Sequence, residues 1–237
     1  MLTIQNLLKR YGQKVAVDHI SLSVEAGDIV GFIGHNGAGK TTTLKCCAGI
    51  LVPDAGTIAI DGIDLQRDPL AAKQRLAYLP DNPDLYEYLS GIAYLNFIAD
   101  VYGVEKKVRA ERIERYATMF EIRDNLGDLI RQYSHGMKQK IAVISALIHE
   151  PKLMMLDEPF VGLDPVAAHR LKTVMHAMCE QGSAIFFSTH VLDVAEKLCD
   201  KIAIIREGKI VVAGEMAAVL GDDSLESVFL ELQGDHV

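Results

Sequence analysis

Hydrophobic and polar positions alternate along residues 2–24, where Val15, Val17, Ile20, Leu22 and Val24 keep strand spacing and Gly12 separates two runs. That period predicts a small antiparallel sheet. Residues 28–34 abandon alternation for a nearly continuous apolar run, as expected of a strand buried on both faces, and helix-compatible residues follow the glycines over 40–50. The predicted order is strand, glycine loop, helix. Short strands are expected at 56–60 and 76–79, with a polar, Asp-rich stretch containing Pro69 between them. From about residue 90 to 148 the period changes. Tyr94, Leu95, Phe97, Ile98 and Val101, then Val108, Ile113, Tyr116, Ala117 and Phe120, recur at helical spacing and predict a helical insert. Beyond it, residues 153–156, 184–188 and 201–205 read as buried strands, with helices over 165–180 and 191–198. Strands alternating with helices imply a mostly parallel sheet. The expected fold is α/β, with an N-terminal antiparallel β subdomain and an α-helical subdomain. We expect one domain over 1–237, its core formed by 1–81 and 151–237 and its helical part by 82–150.

The 237 residues suffice for a large core, and 49% hydrophobic with 24% charged residues is an ordinary globular balance that argues against disorder. No apolar run nears the roughly 18 residues that a membrane span requires, the longest clean one covering 141–148. The first residues show no basic patch followed by an apolar stretch, so no secretory signal is visible and a cytosolic location is expected. A net charge of -8 with scattered Lys and Arg speaks against nucleic acid as a partner. Cys46, Cys47, Cys179 and Cys199 lack metal-ligand spacing and read as buried thiols, and Met154 and Met155 read as core fillers.

Chemistry is concentrated in Gly34-His35-Asn36-Gly37-Ala38-Gly39-Lys40-Thr41, followed by Thr42. This is the P-loop pattern. Glycines let the backbone curl so that N–H groups converge on phosphate oxygens, and the following helix adds the positive end of its dipole. Lys40 is then expected to bridge the β- and γ-phosphates and the Thr41 hydroxyl to ligate Mg²⁺. A mere tight turn would account for the glycines but not for Lys40 and Thr41. A nucleotide site also needs a carboxylate at the end of a neighbouring buried strand, and Leu153-Met154-Met155-Leu156-Asp157-Glu158 supplies two. Asp157 would hold Mg²⁺ through a water, while Glu158 would take a proton or hydrogen bond from the water attacking the γ-phosphate. Two acids before Pro159 could also simply begin a turn.

With these motifs the chain resembles the ATP-binding subunit of an ABC transporter, from residue 2 to about residue 232. Tyr133-Ser134-His135-Gly136-Met137 is similar to the family's signature loop, Gly162-Leu163-Asp164 to its D-loop and Ser188-Thr189-His190 to its switch histidine. Tyr11 falls where the family stacks an aromatic ring on adenine. The resemblance implies an ATPase using ATP and Mg²⁺, with Glu158, His190 and Lys40 catalytic and with Thr41, Asp81 and Asp157 at the metal. Nucleotide contacts would come from Tyr11, residues 34–42, Ser134, Gly136 and Asp164. On residues alone, Ser134 is also a good helix N-cap and His190 could be a structural histidine. His35 and His135 read as ordinary loop residues. The chain departs from the family at Asp81, where glutamine is usual after Tyr78-Leu79-Pro80. It departs again at His135 and Met137, where glycine and glutamine are common.

The resemblance further implies a second ATP-binding chain, an identical copy or a close paralogue, packed head to tail so that ATP lies between the P-loop of one and the signature loop of the other. It also implies a separate integral membrane permease and a peripheral position on the inner face of the membrane. Residues 82–89 would couple to that permease, with Leu85, Tyr86, Tyr88 and Leu89 as apolar contacts. Segments 157–165, 136–140 and 224–229 look like those of exporter-type bacterial members. An alternative is a soluble ABC-type ATPase that remodels a non-membrane complex. A small-molecule kinase fits the P-loop but leaves the signature loop, D-loop and His190 unexplained.

Overall fold

A computed structural model of the chain describes residues 1–233. It opens with the antiparallel pair β1 (Leu2–Tyr11) and β2 (Lys14–Val24), registered from Leu2↔Val24 to Tyr11↔Lys14. Register shifts between Ile4 and Lys9 let the consecutive residues Leu7 and Leu8 both be buried, which strict alternation would forbid. The central strand β3 (Ile29–Ile33) leads through the glycine loop into helix α1 (Lys40–Cys47), and β4 (Ala55–Ile60) with the short β5 (Ile63–Asp64) completes a four-stranded sheet of order β2-β1-β4-β5.

The polar stretch around Pro69 is not merely a connection. It holds helix α2 (Pro69–Gln74), whose N-cap Asp68 accepts a hydrogen bond from Ala71 N at 3.1 Å and whose first residue is the proline. Proline interrupts helix interiors but suits a first turn, where its missing N–H has no partner to lose. Strand β6 (Leu76–Leu79) comes next. Helices α3 (Gly91–Val101), α4 (Lys106–Met119) and α5 (His135–Leu147) then occupy the predicted helical stretch, with Ser90 and Ser134 as N-caps of α3 and α5.

The remaining elements are β7 (Leu153–Asp157), α6 (Pro165–Glu180), β8 (Ala184–Thr189), α7 (Leu192–Leu198), β9 (Lys201–Arg206), β10 (Lys209–Glu215), α8 (Met216–Leu220) and α9 (Leu225–Gln233). Strands β9, β3, β8, β7 and β6 run parallel, and β10 closes the edge as an antiparallel hairpin on β9, giving the order β10-β9-β3-β8-β7-β6. Period-2 alternation divides the interior at this sheet. Ile29, Ile33, Leu156, Ile185 and Phe187 face one core shared with α3 to α7. Val30, Phe32, Met155 and Phe186 face a second core under α1 and the antiparallel sheet. All four cysteines are buried free thiols, and Met154 and Met155 are fully buried. Among the described residues no helix is long and apolar enough to cross a membrane.

Because β3, β7 and β8 are parallel neighbours, their carboxyl ends share one rim of the sheet. Open α/β sheets bind ligands at such a rim. Here it carries the glycine loop after Ile33, Asp157 and Glu158 after Leu156, and His190 after Thr189.

Candidate active site

The glycine loop leaves β3 under tight steric limits. A Cβ on Gly34 would lie 2.5 Å from Ile205 O, and one on Gly39 would lie 2.5 Å from Ala16 O. Gly39 also sits at φ 116 as the N-cap of α1. Only glycine combines this backbone with that approach. The loop frames an open cleft of about 260 Å³ lined by Tyr11, Lys14, Ala16, His35, Asn36, Gly37, Gly39, Lys40, Thr41, Thr42, Asp81, Asp157 and Glu158.

Lys40 is 6% exposed, and its Nζ donates to Gly34 O at 2.5 Å and His35 O at 3.3 Å. Burial holds its pKa below the ordinary lysine value, while the carboxylates of Glu158 and Asp157 work in the opposite direction. Asp157, 2% exposed, ends β7 opposite Ser188 on β8, and the Ser188 hydroxyl donates to Asp157 Oδ1 at 2.5 Å. No other hydrogen bond reaches this carboxylate among the described residues. Glu158 N is held by Ser188 Oγ and Ser188 O, each at 3.2 Å. Its Oε1 lies 2.9 Å from His190 Nδ1 and 3.7 Å from Lys40 Nζ, yet no donor is aligned on it as a hydrogen bond.

This geometry fits a phosphate chain accompanied by a divalent cation. The loop offers N–H groups, an ammonium and a helix N-terminus, while Thr41, Asp81 and Asp157 are oxygen ligands lining the same cleft. No group of three His, Cys, Asp or Glu side chains among the described residues could hold a metal ion by itself. Mg²⁺ takes one or two protein carboxylates and completes its shell with substrate oxygens and water, and Asp157 and Asp81 could supply such carboxylates.

The expected residues divide into two sets. Tyr11 (50% exposed), His35, Asn36, Gly37, Gly39, Lys40, Thr41, Thr42, Asp81, Asp157 and Glu158 line the cleft, and His190 adjoins it through Glu158. Gly34 and Ala38 support the loop, Gly34 O accepting from Lys40 and Ala38 O from Gly208 N at 2.9 Å. Ser134, Gly136 and Asp164 do not line this cleft. Ser134 Oγ accepts from Met137 N at 3.3 Å as N-cap of α5, and Asp164 Oδ1 accepts from Ala167 N at 2.8 Å as N-cap of α6. Asp164 also pairs with Lys140 at 2.9 Å, which lowers its pKa.

Two histidines read as plain loop residues have packing roles. His35 meets the edge of Phe229 on α9 at 5.0 Å between ring centroids, and His135 fills the space beside Gly162, where an added Cβ would meet its ring at 2.6 Å. Sequence reasoning also missed Lys14 in the cleft and the grip of Ser188 on Asp157. The first could have been anticipated from the Tyr11–Lys14 hairpin, and the second only from strand register.

Comparison with known proteins shows the family. A family model described as ABC transporter matches residues 17–161. The chain is 32% identical over 237 residues to the ABC-type transporter ATP-binding protein EcsA of Bacillus subtilis (strain 168), covering 98% of this chain and 96% of that one. Some other relatives are longer, and the chain spans 63% and 62% of two of them. A solved ATP binding subunit of an ABC transporter superposes with a TM-score of 0.95 at 33% identity, covering 98% of this chain and 99% of the other. A dimeric ATP-binding cassette in a post-hydrolysis state, bound to ADP and Pi, shares the fold with a TM-score of 0.82 at 21% identity over 91% of this chain and 99% of its own. A phosphate loop flanked by paired carboxylates, on a chain that matches such subunits from end to end, makes this protein a member of the ABC transporter ATP-binding family and an ATPase.

Proposed function

We propose that two copies of this chain close head to tail around two Mg-ATP and that hydrolysis, by reopening them, powers a separate membrane permease in export. The observation that carries this reading is the division of the expected site: Lys40, Asp157 and Glu158 share one cleft, whereas Ser134 and Gly136 lie outside it. Ser134 starts a 13-residue helix, and the N-terminus of such a helix is an anion site that a neighbour's γ-phosphate could use. Within the cleft, Lys40 would exchange its contacts with Gly34 O and His35 O for phosphate oxygens. Glu158 Oε1, with no aligned donor, would accept from the attacking water, and His190 would steady that carboxylate from its far side. Thr41, Asp81 and Asp157 would hold Mg²⁺, which when bound neutralises charge on the phosphates.

Docking to the permease is proposed at residues 82–89. Leu85 is 6% exposed and belongs to the core, so the apolar contact expected there narrows. Tyr86 and Tyr88 are 58% and 83% exposed, and Phe97 of α3 packs against Tyr86 at 5.5 Å, forming a shallow apolar face suited to a partner. Export is supported by the resemblance of segments 157–165 and 136–140 to exporter-type members. A peripheral position on the inner face of the membrane would follow from the permease contact.

The test mixes two inactive variants. Ser134→Arg and Glu158→Gln should each abolish phosphate release while keeping ATP binding. Combined in equal amounts they should recover about a quarter of wild-type activity, because half the dimers are mixed and each mixed dimer holds one intact composite site. No recovery would mean that the site is complete within one chain. Co-purification of an integral membrane protein from detergent extracts, lost when Tyr86 and Tyr88 are both changed to Ser, would support the docking surface.

A further inference from the structure

Tyr78 on β6 carries a buried hydroxyl with no hydrogen-bond partner among the described residues. Buried tyrosine hydroxyls ordinarily find one, and leaving such a group unpaired costs about 1–3 kcal/mol. Strand register says where this side chain points. Tyr78 pairs with Met155 on β7, and its ring packs in the core that holds Leu76 and Met155, while the alternate residues Leu79 and Leu156 face the other core. Two residues beyond Met155 on the same strand, Asp157 emerges on the same side of the sheet as Tyr78. A rise of about 3.3 Å per residue and a strand spacing of about 4.8 Å put the two backbones some 8 Å apart on the diagonal, within reach of a phenol directed toward the strand ends.

The surroundings agree. Burial pushes the Tyr78 phenol above its ordinary pKa, and the carboxylates of Asp157 and then Asp81 push it further, so it stays protonated and able to donate. Asp157 has a use for that donor: Ser188 occupies Oδ1, and no hydrogen bond reaches Oδ2 among the described residues.

We propose that Tyr78 is a positioning residue: its hydroxyl, unbonded in the free chain, turns in the cation-loaded cleft to donate to the second carboxylate oxygen of Asp157 and so holds that carboxylate on the divalent cation. With the cation bound, Ser188 and Tyr78 would hold Asp157 by its two oxygens and keep the ligand from rotating away. This rests on the reading that Asp157 holds the metal.

The experiment titrates Mn²⁺ into the full chain loaded with ADP and follows free Mn²⁺ by electron paramagnetic resonance, for wild type, Tyr78→Phe and Asp157→Asn. Tyr78→Phe should weaken Mn²⁺ binding about tenfold, the loss typical when a partner of a metal ligand is removed. Its affinity for metal-free ADP and the thermal midpoint of the free chain should not fall, because the phenol oxygen has no bond there to lose. Wild-type Mn²⁺ affinity in Tyr78→Phe beside a clear loss in Asp157→Asn would overturn the role of Tyr78 and leave Asp157 as a ligand. No loss in either variant would overturn both assignments. An equal loss of metal-free ADP affinity would show general distortion of the cleft, and that too would overturn the proposal.

Discussion

Two glycines of the phosphate loop, Gly39 and Gly37, should respond very differently to one methyl group. Gly37 has φ 83, and a Cβ there would meet nothing within 4 Å. Gly37→Ala therefore carries only the cost of a left-handed backbone, about 1–2 kcal/mol. Gly39 has φ 116, and its Cβ would sit 2.5 Å from Ala16 O and 3.2 Å from Ile205 Cδ1. Ala16 O belongs to the backbone of β2, and the next residue but one, Asp18, is tied to Gly208 O at 2.8 Å, so this wall has little freedom to retreat. Gly39→Ala thus adds an overpacking cost of about 1–3 kcal/mol to a backbone cost of about 1–3 kcal/mol. For a domain of this size each kcal/mol moves the thermal midpoint by about 2–4 °C, which predicts a fall of roughly 4 °C for Gly37→Ala and roughly 12 °C for Gly39→Ala.

The functional effect should diverge in the same sense. Ala16 and Gly39 both line the cleft, so relieving the clash displaces the wall and the loop together. Gly39→Ala should lose ADP affinity by more than about tenfold, equivalent to 1.4 kcal/mol, with a smaller loss in Gly37→Ala. Differential scanning fluorimetry and calorimetric ADP titration measure both quantities. Equal midpoints and equal affinities in the two variants would refute the claim that the approach to Ala16 O constrains the loop.

Two further outcomes follow from the charges. Lys40→Ala should weaken ATP binding at least about tenfold by removing the ammonium from the phosphates; fluorescent-nucleotide titration checks this, and unchanged affinity would mean that Lys40 does not reach them. Burial depresses the pKa of His149 to about 4, with its Nε2 on Leu76 O at 3.2 Å opposing the shift and Arg112 adding to it. The folded state therefore keeps this ring neutral while the unfolded chain protonates near 6.5, so its contribution is full above pH 6.5 and falls away between 6.5 and 4, by on the order of 3 kcal/mol. Urea unfolding across that window should show a shallower acid limb in His149→Phe, and identical limbs would exclude His149 as the cause.

Much of the fold was legible because the relevant strands are extreme cases. β3, β7 and β8 are buried on both faces, so their apolar runs admit few other readings. The starts of α5 and α6 were legible through Ser134, whose hydroxyl caps its own helix, and Pro165, whose fixed backbone suits a first turn; neither signal depends on the rest of the molecule. α2 was hidden because Pro69 has two opposite meanings, and only the bond from Ala71 N to Asp68 decides between them. β10 was hidden because its alternation is between half-buried and exposed positions, a weak pattern for an edge strand. The site shows the same division. The loop residues 34–41 compress their chemistry into one short segment and can be read directly. The bond from Ser188 to Asp157 joins residues 31 apart in the chain, and Leu85 turns inward for tertiary reasons, so neither was available to local pattern.

The charge balance of the cleft explains why this site should favour a nucleotide that arrives with its cation. The buried Lys40 faces Asp157 and Glu158, with Asp81 and the exposed Lys14 also lining the cleft, and Lys40 already spends its hydrogen bonds on Gly34 O and His35 O. Adding the phosphate anions alone would set them against Asp157 and Glu158, whose burial leaves little water to screen them. A divalent cation between Asp157 and the phosphates would reverse the sign of that contact, turning the same carboxylate from a repelling group into a ligand. Asp81 would deepen the effect: it sets a further negative charge in the same cleft, so affinity for free nucleotide should fall relative to that for the cation complex. Discrimination between the two forms would then be a property of the empty cleft, present before the second chain approaches.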